Sequence, residues 1–527
     1  MTYINKSVEV PLRRKILLIR QKVANTLNLN TSYSLALISA VLEPLLDVKI
    51  LDNNGKYKTY SDADILASIK SFKPDIIGFN INMYNAFNSY RLIKLIKGYY
   101  PEIPLIVGGI HTNHCSHEIV ELPVIVVKGE AEFTLPSIIK KLNETYFQNN
   151  KEFHDNVYEE ISKVKGIMFK NNKGEIIDTG PSDTVQDLDA LPFISYRKYN
   201  LEDFIKKYQD NIGSTNTLIT QRGCPYTCIF CKSGFMANVR ETSPSYAVRY
   251  IEYLYSMFGY HHIYFMDENF TLHRNKVLEF CQLFVKSGLH KKISLECQTN
   301  IVCPFDDEIL SAMREANFPR IQFGIDRLTE FGIKKAKIRA SNKVLIPKLE
   351  QLKSRKIKTM FTLLVGMDFD NKNSIQSEFE EMKKFKDLSQ VISVGAVVPV
   401  PGTELYIRHP ELERWYLRKD FNENDLYYYE LALSGSKVIG LNLFNLPKAI
   451  LRQIVTVQLF ARKITILNIF GKRGLFIFYP EKILILFSYY LSMIAPKLEI
   501  VFFKPIKRLR NYLVGIAYNL FYYAKSD

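Results

Sequence analysis

Short apolar runs alternate with amphipathic stretches through the first 150 residues. KILLIRQ (Lys15–Gln21), VKILD (Val48–Asp52), PDIIGFNIN (Pro74–Asn82), PLIVGG (Pro104–Gly109) and VIVVKG (Val124–Gly129) read as strands. Helical spacing falls between and after them, in Ser32–Leu45, Ser61–Lys73, Ala86–Tyr100, His114–Leu122 and Glu132–Asn143, with Ser61 placed to N-cap the second. Continuous apolar strands separated by helices predict a parallel, doubly wound sheet of flavodoxin or Rossmann type. Ligands on such sheets bind beyond the carboxyl ends of the strands.

GIMFKNNKGEIIDT (Gly166–Thr179) reads as a hairpin turning at Asn172, Lys173 and Gly174, and Pro181–Tyr199 as a linker. A second alternation follows. Strands are expected at Thr217–Gly223, His262–Phe270, Ile293–Asn300, Arg320–Asp326, Lys358–Met367 and Val391–Val400, with helices such as Ser243–Phe258 and Asn342–Lys356 between them. Six β–α steps predict a partial (β/α)6 TIM-type barrel, whose chemistry sits at the carboxyl ends of its strands. From about Asp420 the pattern turns helical, aromatic and basic. The expected division is therefore 10–150, 151–210 (hairpin and linker), 211–405 and 406–527, an α/β protein with a mainly helical C-terminal region.

Charge and cysteine usage sharpen this picture. The formal charge is +16, and 13 Lys and Arg against three acids fall between Gly440 and Asp527. A solvated helical surface and an anion- or membrane-facing surface are both open there. Ile483–Ala495 is shorter than the roughly 20 apolar residues a spanning helix needs. It reads as a buried helix or one lying on a membrane surface. The N-terminus has no apolar core of signal-peptide type. Seven cysteines, three of them crowded together, do not form a disulfide framework and point to a reducing, cytoplasmic setting with one metal or cluster site.

That site is RGCPYTCIFC, with Cys224, Cys228 and Cys231 directly after the first strand of the second alternation. Three thiolates suit three corners of a cubane and leave one iron open. A zinc knuckle usually wants four ligands in paired spacing, which Cys281, Cys297 and Cys303 do not supply. The stretch resembles the CxxxCxxC signature of the radical S-adenosylmethionine (SAM) enzymes. The resemblance implies a 4Fe-4S cluster whose open iron binds SAM, and a 5′-deoxyadenosyl radical as the reactive product. It places Phe230 near the adenine and makes Asp267 and Glu268 of HIYFMDENF candidates for the methionine amino group. FGID (Phe323–Asp326) is similar to the family's FGxE, with Asp326 the candidate for the ribose. Asn300 stands where many relatives carry Arg. PVPGTELY (Pro399–Tyr406) looks like the motif after the sixth strand.

The first domain resembles the cobalamin-binding domains of one branch of this family. VGGIH (Val107–His111) and KGEAEFTLPSI (Lys128–Ile138) carry the likeness, and DLDALPF (Asp187–Phe193) resembles the branch's linker. Gly108, Gly109, His111, Gly129 and Glu130 are the implied cobalamin contacts. The glycines let backbone approach a bulky ligand closely. The DxHxxG loop of many cobalamin proteins has no counterpart in Gln21–Ala36, which implies cobalamin without a protein His ligand.

Both cofactors together imply methyl transfer to an unactivated centre of a small-molecule or lipid-like substrate, with a reducing partner such as flavodoxin or ferredoxin. Radical cyclisation, ring contraction or oxidation is the alternative within the family. A cobalamin or cluster sensor without turnover is the alternative outside it. The basic, aromatic C-terminal region is the candidate for peripheral membrane contact, and no nucleic-acid module is recognised.

Overall fold

The computed structural model describes residues 13–21, 32–53, 60–83, 85–148, 152–194, 198, 217–232, 238–339, 342–397, 399–409, 457–461 and 463–464. The loop expected to lack a cobalt-ligating His, at 22–31, and nearly all of the C-terminal region expected over 406–527 lie outside them. The chain divides into two compact units: Met1–Gln186 with Ala190–Lys207, and Asp187–Asp189 with Tyr208–Asp527.

The first unit runs β1 (Lys15–Arg20), α1 (Tyr33–Leu42), β2 (Asp47–Asp52), α2 (Asp62–Phe72), β3 (Ile76–Asn80), α3 (Ala86–Tyr99), β4 (Leu105–Gly108), α4 (Ser116–Ile119), β5 (Ile125–Val127), α5 (Ala131–Glu144), α6 (Asp155–Ser162), β6 (Ile167–Lys170) and β7 (Ile176–Asp178). The sheet order is β2-β1-β3-β4-β5-β6-β7. The first five strands are parallel, in flavodoxin-like order, and the chain reverses its winding between β1 and β3. β1 shows why an unbroken apolar run was needed. Ile16 and Leu18 bury on one face, Leu17 and Ile19 on the other, each against a separate core. Ser61 caps α2 as expected, in a reciprocal capping box with Asp64.

The hairpin expected over Gly166–Thr179 forms and joins the sheet, β6 pairing antiparallel with both β5 and β7. The helix expected over His114–Leu122 shrinks to α4, because turns occupy the chain from Ile110 to His114.

The second unit runs β8 (Thr217–Leu218), β9 (Gln221–Arg222), β10 (Arg240–Glu241), α7 (Pro244–Phe258), β11 (His262–Phe265), α8 (Arg274–Lys286), β12 (Ser294–Thr299), α9 (Asp307–Glu315), β13 (Arg320–Asp326), α10 (Glu330–Lys335), α11 (Asn342–Ser354), β14 (Lys358–Val365), α12 (Lys372–Lys383), β15 (Val391–Ala396) and α13 (Glu404–Ile407). Its six-stranded sheet has the order β15-β14-β13-β12-β11-β8, and every pairing is parallel. Sequential parallel strands joined by helices are the topology of an open (β/α)6 barrel. β13 alternates cleanly: Ile321, Phe323 and Ile325 are buried, while Gln322, Gly324 and Asp326 on the other face are half-buried.

The expected strand Thr217–Gly223 is split in two. Asp267 takes the backbone N–H groups of Thr220 and Gln221, at 2.6 and 2.9 Å, so the ladder stops there. The chain then forms a small ribbon in which β9 pairs with β10. The expected linker contributes as well: Asp189 accepts the N–H of Ser243, the N-cap of α7, at 2.8 Å.

Candidate functional site

Cys224, Cys228 and Cys231 all fall in the loop leaving β9, and none is in a disulfide. Two straps hold this loop. Ile229 donates its N–H to Ala336 at the end of α10, and its carbonyl accepts from Leu405 N–H at 2.9 Å. Lys232 reaches the Pro401 carbonyl at 2.9 Å. Ile229 is buried among Ala336, Ile338, Met367, Val397 and Leu405, and Cys228 and Phe230 pack against this cluster. The PVPGTELY stretch is thus a bracket. Its fully buried Thr403 caps α13 and lies 2.7 Å from the Val400 carbonyl, which sets Leu405 against the loop.

The acidic motif divides by exposure. Asp267 is 1% exposed, and its oxygens are taken by Thr220 N–H, Gln221 N–H and the Thr220 hydroxyl. Burial pushes its carboxyl up to about 7 despite those three donors. Glu268 is exposed, and its charge reaches Cys224 and helps raise that thiol. Asn269, which sequence reasoning passed over inside the same motif, is buried and donates Nδ2–H to Cys224 Sγ at 3.2 Å. It is held by reciprocal bonds with Gln221: Asn269 N–H to Oε1 at 3.0 Å, and Nε2–H to the Asn269 carbonyl at 3.2 Å.

Asp326 ends β13 at a bulge, with φ 60°, a left-handed conformation that Asp tolerates better than most residues. Burial pushes its carboxyl up to about 7, and its charge acts on Cys228. Asn300 makes a turn, its Oδ1 accepting from Val302 N–H at 3.0 Å.

The thiols themselves test the fit of a metal cluster. Burial first, then the charges of Asp326, Cys231 and Cys224, push Cys228 up to about 12. Cys224 is raised first by burial, against the Tyr226 N–H and Asn269. Three thiols close enough to oppose one another's ionisation need a cation to become ligands. The donor set therefore fits an iron–sulfur cluster.

In the first unit, the expected cobalamin contacts gather at the carboxyl ends of β4 and β5. Gly109 has φ 115°, and a Cβ there would lie 2.4 Å from the Ile81 carbonyl oxygen at the exit of β3. No other residue fits without moving that backbone. Gly129 is similarly confined by Ser182, whose hydroxyl accepts Glu130 N–H at 3.1 Å. Glu130 turns its carboxylate to Val185 N–H at 2.7 Å. Gly108 has ordinary contacts, its nearest neighbour being the Val127 side chain. His111 is 3% exposed, with Nε2 3.0 Å from the Tyr90 hydroxyl. Thr112 and Asn113, unremarked in the sequence, complete the edge: Thr112 Oγ1 lies 2.8 Å from the Val127 carbonyl, and Asn113 accepts Gly129 N–H at 2.6 Å.

Residues 218–382 match the Radical SAM superfamily, and residues 22–139 match the B12 binding domain. The chain belongs to the B12-binding radical SAM enzymes. Such an enzyme works with a 4Fe-4S cluster, SAM and cobalamin. Among curated proteins, the chain is 25% identical over 382 residues to an uncharacterized methyltransferase of Pyrococcus horikoshii, covering 71% of this chain and 77% of that one. It is 24% identical over 332 residues to the anaerobic magnesium-protoporphyrin IX monomethyl ester cyclase of Cereibacter sphaeroides, covering 60% of this chain and 51% of that one. The fold is similar to that of the methyltransferase TsrM from Kitasatospora setae, solved with cobalamin and a [4Fe-4S] cluster, with a TM-score of 0.60, 15% identity and 76% and 79% of the two chains covered. OxsB, solved with aqua-cobalamin, gives a TM-score of 0.59 at 17% identity, over 77% of this chain and 56% of that one. Among the described residues, no helix is long and apolar enough to cross a membrane.

Proposed function

We propose that this B12-binding radical SAM enzyme transfers methyl groups to an unactivated centre of a small or lipid-like substrate, through a cluster held by Cys224, Cys228 and Cys231. The gathering of Asn269 and Glu268 on Cys224 and of Asp326 on Cys228, beside Cys231 in the same loop, carries the reading. When bound, the cluster supplies the electron that cleaves SAM to methionine and a 5′-deoxyadenosyl radical, and cobalamin supplies the methyl carrier.

The chain's own residues bind and orient. Asn269 donates to the Cys224 sulfur and fixes its direction. Glu268, exposed beside Cys224, offers its charge to the methionine amino group. Asp326 offers its carboxyl to the ribose hydroxyls, and Phe230 its ring to the adenine. Asp267 acts one step back, since its oxygens are spent on the strand that feeds the cysteine loop. Gly109 and Gly129 let the loops after β4 and β5 pack tightly on Ile81 and Ser182, which fixes the shape of the edge offered to a corrin ring. Glu130 fixes the loop beside them. The methyltransferase relative favours methyl transfer, and the cyclase relatives favour radical cyclisation as the second reading. The aromatic, basic sequence after residue 440 supports a lipid-like substrate, peripheral membrane contact, or both.

The test is anaerobic. Protein reconstituted with iron, sulfide and hydroxocobalamin is given SAM and a strong reductant beside Cys224→Ala, Cys228→Ala and Cys231→Ala. 5′-Deoxyadenosine that requires all three cysteines, with S-adenosylhomocysteine formed only when cobalamin is bound, is the expected result. Deoxyadenosine without homocysteine moves the assignment to cyclisation. Well-folded protein with no cluster absorbance and no deoxyadenosine overturns it.

A further inference from the structure

The turn after β4 carries three metal-ligating side chains that the cluster and the SAM site leave unused. His111, Cys115 and Glu118 recur at i, i+4 and i+7. The chain winds helically through them: Cys115 N–H donates to the His111 carbonyl at 3.0 Å, and Ile119 N–H to Cys115 at 3.1 Å. That spacing brings all three to one face. One ligand atom from each lies within 4.8 Å of the others.

The hydrogen bonding selects which histidine nitrogen faces a metal. Burial holds the His111 ring neutral, its pKa pushed down to about 4. Nε2 lies 3.0 Å from the Tyr90 hydroxyl, and that hydroxyl is also bonded to Glu118. A phenol has one proton. If it goes to the carboxylate, the hydroxyl must accept from Nε2–H, and the imidazole lone pair is left on Nδ1. Among the described residues, Nδ1 is buried without a hydrogen-bond partner. A buried acceptor left unsatisfied is unfavourable, and a bound cation would offset that.

We propose that His111 Nδ1, Cys115 Sγ and the Glu118 carboxylate hold a zinc-class divalent cation at the carboxyl end of β4. Nitrogen, thiolate and carboxylate together suit a borderline metal such as Zn²⁺. Bonds of about 2.0–2.3 Å in a tetrahedral site set ligand atoms roughly 3.3–3.8 Å apart, so one ligand atom from each side chain, already within 4.8 Å of the others, needs to close by no more than roughly 1–1.5 Å. Three protein ligands leave the fourth position to water. On binding, the Cys115 thiol loses its proton to solvent and its sulfur takes the metal. Tyr90 is the positioning residue that fixes the histidine tautomer. His111 then serves the metal and is not a cobalamin contact.

The test uses the full chain with its 4Fe-4S cluster reconstituted and no cobalamin added, so that Cys224, Cys228 and Cys231 are occupied and Co²⁺ is a clean probe. After zinc loading and gel filtration, one zinc per chain is expected by mass spectrometry, with iron content unchanged. Co²⁺ loading should give a thiolate charge-transfer band. Cys115→Ser should abolish the band and the retained zinc, and Glu118→Gln should weaken both. Tyr90→Phe, which keeps every ligand, should weaken zinc affinity about 10–100-fold. Zinc should raise the melting temperature of the wild type and not of Cys115→Ser. Wild-type protein that retains no zinc, or zinc retained equally by folded Cys115→Ser, overturns the proposal. Because iron and deoxyadenosine are read separately, failure here leaves the cluster assignment standing.

Discussion

Asp267 and Asn269 sit two positions apart on one short loop and act on different things. Asn269 touches a candidate cluster ligand, while Asp267 touches only the backbone and hydroxyl that lead to it. If Asp267 works by position, its charge is dispensable. In Asp267→Asn the amide oxygen still accepts from Thr220 and Gln221 N–H, and Nδ2–H can donate to the Thr220 hydroxyl. We expect near wild-type iron content and deoxyadenosine formation. Asp267→Ala strands two buried donors, costing about 1–3 kcal/mol for each, and should lose the cluster. Equal loss in both variants would return Asp267 to direct contact with SAM. His262 allows a second prediction. Glu296 lies 3.7 Å from its Nε2 and would favour the charged ring, but Arg320 already holds that carboxylate at 2.8 Å. Burial, then Arg320, pushes His262 down from 6.5 to about 4. The unfolded chain therefore takes the proton first, and native stability falls as pH drops through this window. Against His262→Gln, the wild type should lose up to about 3 kcal/mol between pH 6.5 and 4, read from urea midpoints. A constant difference between the two proteins would contradict the assignment.

Periodicity carried most of the elements, because strands buried on both faces leave unbroken apolar runs. β13 falls at Arg320–Asp326, the bounds expected from sequence. α6 leaves no periodic signature, because only Val157 and Ile161 bury, a single i, i+4 pair that makes no stripe. The roles of Asn269 and of the PVPGTELY bracket were illegible for a different reason. Both depend on long-range bonds, Asn269 to Cys224 and Leu405 to Ile229, that no local pattern encodes. The exits of β13 and β14 are joined by another such device. Arg327 is fully buried, pairs with Asp370 and Glu378, and also donates to the Leu364 carbonyl at 2.9 Å. Asp370 in turn accepts Gly366 and Met367 N–H, and Glu378 accepts Leu328 N–H. Arg327→Met removes one cation and strands two carboxylates. It should cost about 3–5 kcal/mol, read as a lower urea midpoint. A loss below about 1 kcal/mol would mean that the network is solvated and not a lock.

At the scale of the whole molecule, the two candidate cofactor sites have separate cores. The glycine-lined edge belongs to the first unit, whose two cores flank its sheet, and the three thiols belong to the second. Loading should therefore be separable even though turnover needs both. Gly109→Ala forces a Cβ within 2.4 Å of the Ile81 carbonyl oxygen and shifts the edge where β3 and β4 end. It should weaken cobalamin retention on gel filtration, abolish cobalamin-dependent S-adenosylhomocysteine, and leave iron content and basal deoxyadenosine formation close to wild type. The triple variant Cys224→Ala, Cys228→Ala, Cys231→Ala should do the reverse, binding cobalamin normally while holding no cluster and making no deoxyadenosine. Loss of both cofactors in either variant, with far-ultraviolet circular dichroism unchanged, would mean that the two sites share structure. Loss of one at a time would instead place their coupling in the reaction itself, where a methyl carrier and a radical source must serve the same substrate.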